Sequence, residues 1–187
     1  MNDDIKAAVE TLRKGGIILY PTDTIWGLGC DATRDDAVNK IYQLKNRPDN
    51  QPMLVLLDEA GKLSRYVTEV PEIAWDILEV TDKPLTVIYP GARNLAESLL
   101  APDGSVGIRI VQDEFCSRLI HLFGKPIVST SANISGTLWP DTFKKINENL
   151  VRGVDYVVRW RQDDLLKGKP SGIIKLGVNG EVKVIRE

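Results

Sequence analysis

Apolar residues first recur at Ile5, Ala8, Val9 and Leu12, the spacing of one helical face, and Gly15 stands where such a helix can end. Residues 17–20 are a short β-prone apolar run stopped by Pro21, and a polar loop follows. Helical spacing returns over 35–45, with Val38, Ile41 and Leu44 on roughly one face. Residues 53–57 read as a buried strand, and Pro71 suits the first turn of a helix running to about residue 79. Strands are predicted at 85–89 and 106–111, with a short helix near 95–100 between them. Residues 113–123 form a further helix on which Cys116, Leu119, Ile120 and Phe123 share a face. A strand at 127–130 runs into a Ser/Asn/Gly loop, and 141–149 reads as helical. Strands at 154–158, 172–176 and 182–185 close the chain. The turn Val178-Asn179-Gly180-Glu181 joins the last two, because Asn-Gly favours a tight hairpin.

Strands and helices mix throughout, with no repeat, low-complexity tract or linker. The pattern predicts an α/β fold: one domain over 1–187, with a twisted, mixed, open sheet flanked by helices. A chain of 187 residues, 43% hydrophobic and 27% charged, is enough for one sizeable core. Its net charge of −2 argues against a globally basic surface for wrapping duplex nucleic acid, though local cationic clusters can still bind anions. Cys30 and Cys116 fit neither a disulfide framework nor a paired metal site. The N-terminal stretch lacks the apolar core of a signal peptide, and no apolar run is long enough to span a membrane. The expectation is a soluble cytoplasmic protein with reduced thiols.

The absent motifs narrow the chemistry. The single histidine, His121, lies on an amphipathic helix and suits a structural role better than a catalytic triad. There is no H-E-x-x-H, no Cys/His cluster, no phosphate-binding G-x-x-x-x-G-K-[ST], and no G-x-G-x-x-G after a strand. No protein-held metal is expected.

Three segments carry candidate chemistry. Residues 20–30 place Thr22, Asp23, Thr24 and two glycines just beyond a strand end, where α/β proteins put ligands. The same segment also reads as a packed turn. Lys45 and Arg47, before Pro48 and Pro52, are either cations favouring a helix C-terminus or a polyphosphate clamp. Residues 129–136, containing Ser131 and Asn133, are an ordinary polar turn or a loop that binds a ligand through hydroxyls, amide and backbone N–H groups. Thr86, Arg109, Ser171 and Arg186 are scattered, and each alone reads equally as surface.

Taken in order, these segments resemble the YrdC/TsaC family. Pro21 through Gly29 is similar to its PTDTVYGLG motif, with Ile25-Trp26 in place of Val-Tyr. Lys45-Asn46-Arg47-Pro48 matches K-x-R-P, and 126–136 matches the segment containing SAN-x-SG. Lys83-Pro84-Leu85-Thr86, Gly107-Ile108-Arg109, Pro170-Ser171-Gly172-Ile173-Ile174 and Val184-Ile185-Arg186 are similar to later family segments. The matches cover nearly the whole chain. Departures are Lys175 where Asp is common, Gly172 where Thr is common, Lys83 within the PGPLT-like segment, Leu56 where many members have His, and Val111 without the frequent Pro after the Arg.

The resemblance implies a short, single-domain form with a large, positively lined concave cavity. It implies that ATP, L-threonine and bicarbonate give threonylcarbamoyl-adenylate and pyrophosphate. The product would feed a threonylcarbamoyl transferase complex that modifies the adenosine next to the anticodon of tRNAs reading ANN codons. On that resemblance, Lys45 and Arg47 would be catalytic and hold phosphates. Thr86, Ser131, Asn133 and Arg186 would join them around the nucleotide, and Thr24, Arg109 and Ser171 would take the threonine side. Mg2+ would accompany ATP, held mainly by phosphates and water. Two alternatives remain on the same motifs. One is an RNA-binding module, for tRNA or double-stranded RNA, without synthase activity. The other is a carbamoyl-transfer module like the YrdC-type domain of hydrogenase maturation proteins, which is usually embedded in longer chains.

Overall fold

A computed structural model of the protein describes residues 1–48, 51–165 and 168–187. Helix α1 spans Asn2–Arg13 and buries Ile5, Ala8, Val9 and Leu12, with Asp3 and Asp4 complementing the positive end of its dipole. Gly15 ends it at φ +75°, where a side chain would strike the Arg34 guanidinium. Strands β1 (Ile18–Tyr20) and β2 (Gly27–Gly29) follow, then α2 (Asp35–Lys45), which closes on Asn46 in the left-handed region. The middle of the chain gives β3 (Leu54–Leu57), α3 (Glu72–Val80), β4 (Leu85–Tyr89) and β5 (Val106–Ile110). Helix α4 (Glu114–Phe123) starts on Asp113, whose carboxylate accepts from the Cys116 N–H, and stops at Gly124 in the left-handed conformation. The chain ends with β6 (Ile127–Ser131), α5 (Glu148–Gly153), β7 (Tyr156–Val157), β8 (Gly172–Leu176) and β9 (Val182–Arg186).

Among the described residues, the nine strands make one open sheet in the order β7-β1-β2-β6-β3-β5-β4-β8-β9. The pairs β1/β7, β3/β5 and β4/β8 are parallel and the rest antiparallel, so the sheet is mixed as expected. Period-two alternation divides the strand residues between two faces. Leu19, Leu28, Val55, Val87, Ile108 and Val128 join the larger core with Val38 and Ile41 of α2 and Ala74 of α3. Ile18, Tyr20, Leu56 and Ile127 point the other way and pack with Ile5 and Leu12 of α1 and Phe115 and Leu119 of α4. These two helices cover only part of that second face.

Several elements differ from expectation. Residues 27–29 form a strand inside the segment read as a loop. Gly29 must be glycine there, because a Cβ would lie 2.7 Å from both Tyr20 Cε1 and Val128 O. The helix predicted over 141–149 is instead a single 3-10 turn, Phe143–Lys145, and then α5. Ile146 is extended between them, Phe143 is held against the Trp26 ring at 4.8 Å, and the Asn147 side chain accepts from the Asn149 N–H to start α5 later. Pro71 lies just outside α3 as its N-cap, and the helix near 95–100 is one 3-10 turn, Glu97–Leu99. The final turn closes one residue earlier than predicted: Gly180 N–H donates to Gly177 O at 3.1 Å, with Gly180 at φ +76°. Both cysteines are buried and free, and no helix of the described residues is long and apolar enough to cross a membrane.

Gly29→Ala should lower unfolding stability by about 1–3 kcal/mol through overpacking, read as a shift in the urea midpoint at constant slope. Gly61→Ala, where a new methyl meets nothing within 4 Å, serves as the control and should move it by less than about 0.5 kcal/mol.

Candidate active site

The uncovered part of the second face is the floor of a pocket of about 420 Å³, within the usual range for small-ligand sites. Strand alternation builds this floor in two rows. In one, Ile173, Thr86 and Arg109 lie side by side across β8, β4 and β5. In the next, Lys175, Ile88 and Gly107 align on the same strands, with Leu54 and Ser129 beyond them on β3 and β6. Gly107 keeps the floor low, since a Cβ there would come within 3.3 Å of Thr86 Cγ2.

Arg109 is only 2% exposed, and its Nη2 lies 2.9 Å from Asp23 Oδ1. The approach is an ion pair without hydrogen-bond alignment, so Arg109 Nε and Nη2 and Asp23 Oδ1 all lack a hydrogen-bond partner. Buried donors left unsatisfied each cost about 1–3 kcal/mol. A desolvated guanidinium on a pocket floor has the charge and the fork geometry that can pair with a carboxylate or similar anion.

Beside it, Thr86 Oγ1 and Ser171 Oγ are 2.8 Å apart. Arg186 Nε and Nη2 both donate to Ser171 O, at 2.9 and 2.8 Å, and fix that segment against the sheet. A bulge brings Arg186 there. Ile173 pairs with Arg186 while Ile174 pairs with Val184, so Ile185 is the extra residue and Arg186 turns to the pocket face. Burial, and after it the charge of Arg109, lowers the Arg186 pKa, which marks this end of the pocket as cationic. Thr24 lines the wall from a tight turn in which its N–H donates to Thr22 Oγ1 at 3.1 Å, while Thr22 Oγ1 donates to Ile25 O at 2.8 Å.

Arg47 lines the wall beyond α2, with Nε donating to Gln51 O at 2.8 Å and Nη2 to Pro52 O at 2.9 Å. Lys45 behaves differently. It is 1% exposed and outside the pocket wall; its ammonium donates to Ser131 O, to Asn133 O at 2.6 Å, and to Asn133 Oδ1 at 3.4 Å. Burial, and secondarily the charge of Arg47, pulls its pKa down to about 7. Asn133 is also outside the wall, because its amide donates to Thr137 O at 2.6 Å within its own loop.

Of the residues expected at the site, Thr24, Arg47, Thr86 and Arg109 converge on one pocket with Ser131, Ser171 and Arg186. Lys45 and Asn133 do not reach it, and together brace the loop that carries Ser131. Leu56 lies fully buried under α4 rather than in the wall. Ser105, Trp139 and the floor residues Leu54 and Ile88 line the pocket without having been anticipated. Alternation on β4 could have indicated Ile88, two residues from Thr86. Ser105 and Trp139 come from connections whose path depends on the whole fold.

The chain matches the family described as Telomere recombination, Sua5_yciO_yrdC, over residues 10–187. It is 33% identical over 183 residues to the threonylcarbamoyl-AMP synthase of Pseudoalteromonas translucida (strain TAC 125), covering 95% of each chain. The fold is similar to that of E. coli YciO, with a TM-score of 0.86 and 27% identity over 100% of this chain and 90% of that one. It is similar also to P. abyssi Sua5 complexed with L-threonine, with a TM-score of 0.81, 26% identity and 92% of this chain covered. The chain spans about half the length of that Sua5 protein, covering 50% of it. Family match, near-full-length identity and the shared sheet agree, and the chain belongs to the Sua5/YciO/YrdC family.

Proposed function

We propose that this chain is an L-threonylcarbamoyladenylate synthase, which converts ATP, L-threonine and bicarbonate to threonylcarbamoyl-AMP and pyrophosphate. The observation that carries the reading is the buried Arg109, whose guanidinium belongs to the lining of the same pocket as those of Arg47 and Arg186. One cavity thus offers a carboxylate socket and separate phosphate-type cations, as a reaction between an amino-acid carbamate and a nucleoside triphosphate requires. The names of the 33%-identical relatives and the threonine complex of Sua5 support the same assignment.

The nucleophile is the carbamate oxygen of N-carboxythreonine. It bonds to the α-phosphorus of ATP as the bond to the bridging oxygen breaks, and the electron pair leaves with pyrophosphate. No strong base is needed once the carbamate exists, so the protein aligns the groups and stabilises charge. Arg109 holds the threonine carboxylate, with Thr24 and the Ser171 hydroxyl beside it. Arg47, Arg186, Thr86 and Ser131 face the nucleotide. Lys45 and Asn133 act through the loop they brace. Mg2+ would be held by the ATP phosphates and water and would neutralise phosphate charge: the described residues lining the pocket include no carboxylate, and Asp23 and Asp103 beside it are paired with Arg109 and Lys175. On this reading the adenylate passes to a transferase acting on tRNA in the cytoplasm.

Pyrophosphate release from ATP and bicarbonate should require L-threonine and fall sharply with L-serine. Turnover independent of the amino acid would remove the assignment. Arg47→Ala should lower kcat/KM by about 100-fold or more, by analogy with the loss of one transition-state donor. Arg109→Lys keeps a charge opposite Asp23 but loses the fork, so KM for threonine should rise at least about tenfold while KM for ATP changes little.

Lys45 adds a pH dependence. With its pKa near 7 in the folded chain against an ordinary value of 10.5, the unfolded chain binds the extra proton between those values. Its contribution to stability therefore rises with pH across that window. A polyphosphate nearby would favour the ammonium again. ATP binding at pH 8 should take up a proton, seen as a calorimetric enthalpy that varies with the buffer's ionisation enthalpy. Lys45→Met should abolish the variation, and a buffer-independent enthalpy for the unaltered chain would refute the coupling.

A further inference from the structure

Among the described residues, Trp139 is the only aromatic residue that lines the pocket, and it remains 45% exposed. Nothing in the reaction as derived above uses it. A large indole held half in water at a pocket mouth gains little from its own fold, and neighbouring Leu138 is 86% exposed. The segment that presents them is nonetheless firmly based. Thr137 N–H and Oγ1 donate to Ile134 O at 3.1 and 2.8 Å, Gly136 takes φ +82°, and Pro140 is buried behind the pair.

The same base is bonded to α2. Ser135 N–H donates to Lys45 O at 2.9 Å, and Lys45 Nζ donates back to Asn133 O at 2.6 Å. Two residues beyond Lys45 the chain delivers Arg47 to the same pocket. The loop carrying the aromatic group is thus braced against the helix end carrying a phosphate-type cation. A planar π-face and a guanidinium lining one pocket match a nucleotide, whose base stacks while its phosphates are held by charge.

From this geometry we infer that Trp139 is the base-stacking wall of the nucleotide site and sets the preference for a nucleoside triphosphate over a bare polyphosphate. The inference rests on the nucleotide reading of the pocket. It adds a ligand-contacting residue, and it explains why an exposed indole stands at this mouth.

The test compares ATP with inorganic tripolyphosphate, which has the charge but no base. Both affinities are measured by calorimetry for the unaltered chain, Trp139→Ala and Trp139→Phe, with thermal melts showing that each variant is folded. Stacking is sequence-tolerant and worth enough that its loss should weaken ATP by about tenfold or more. Tripolyphosphate affinity should stay within about twofold. Phe supplies a π-face, so Trp139→Phe should keep ATP within about threefold of the original. Indole fluorescence quenched by ATP in the unaltered chain should be lost in Trp139→Phe. Equal weakening of both ligands by Trp139→Ala, or no weakening of either, overturns the stacking role while leaving the nucleotide reading in place. Failure of the unaltered chain to bind ATP or tripolyphosphate removes the nucleotide reading itself, and the inference with it.

Discussion

The site depends on one geometric constraint: a strand residue faces one side of the sheet or the other, and α1 and α4 cover only part of the second side. Where they cover it, that side is apolar, with Tyr20, Leu56 and Ile127 packed beneath Leu119 and Phe115. Where they stop, the same rows of the pleat continue as Thr86, Arg109, Ser129 and Ile173. Leu56 and Arg109 are direct cross-strand partners, so the boundary between core and site falls between adjacent strands. The pocket is the uncovered remainder of a sheet face. Its position is therefore as fixed as the sheet itself.

That construction has an electrostatic consequence. Arg109 sits on the floor, not the rim, and is almost entirely withdrawn from water. An ion pair so buried gains less than its Coulomb attraction suggests, because both partners have lost hydration. Here the loss is only partly offset, since Asp23 Oδ1 and two guanidinium nitrogens lack aligned hydrogen bonds. Lys45 shows the opposite arrangement. Its ammonium has three oxygen acceptors and is not part of the pocket wall, yet burial still lowers its pKa to about 7. The first cation lines a pocket with little of its hydrogen bonding satisfied, and the second holds a loop in place with an easily altered charge.

Local pattern made most elements legible. Helix α2 and strands β4 and β8 fall at their predicted bounds, because their apolar residues follow the period of the structure they form. Strand β2 was hidden because two of its three residues are glycines, which carry no apolar signal: Gly29 lies close to Tyr20 and the Val128 carbonyl, and Gly27 close to the Thr130 carbonyl. Residues 141–149 read as one helix, but the packing of Phe143 on the Trp26 ring and the Asn147 cap divide the segment into a 3-10 turn and a later helix. For the site, the polar segments at strand ends named Thr24 and Ser131, while Thr86, Arg109, Ser171 and Arg186, each of which alone read equally as surface, are gathered into the wall only by the sheet. The separate roles of Arg47 and Lys45 could not be read from a spacing of two. Whether a side chain reaches the pocket or turns inward depends on the loop opposite.

The departures from family motifs follow the same boundary. Leu56 is in the core, and Gly172 alternates with Ile173 and so faces away from the pocket floor. Arg109, Thr86, Ser171 and Arg186, which match the motifs, are all in the wall. Two departures line the pocket, Ile25, an apolar residue in place of Val, and Lys175, a cation at its β8 end. Lys175 stands opposite Lys183 on β9, and like charges in that register repel. Asp103 relieves the repulsion by pairing with Lys175 at 2.5 Å from a separate loop. Its carboxyl is held down to about 2 by the bond from Lys175 and then those from Ser105, so the counter-charge persists at any physiological pH. The substitution of a cation is thus neutralised where it occurs, beyond the row that holds Arg109. The floor on which a carboxylate would meet a nucleotide keeps the family's side chains.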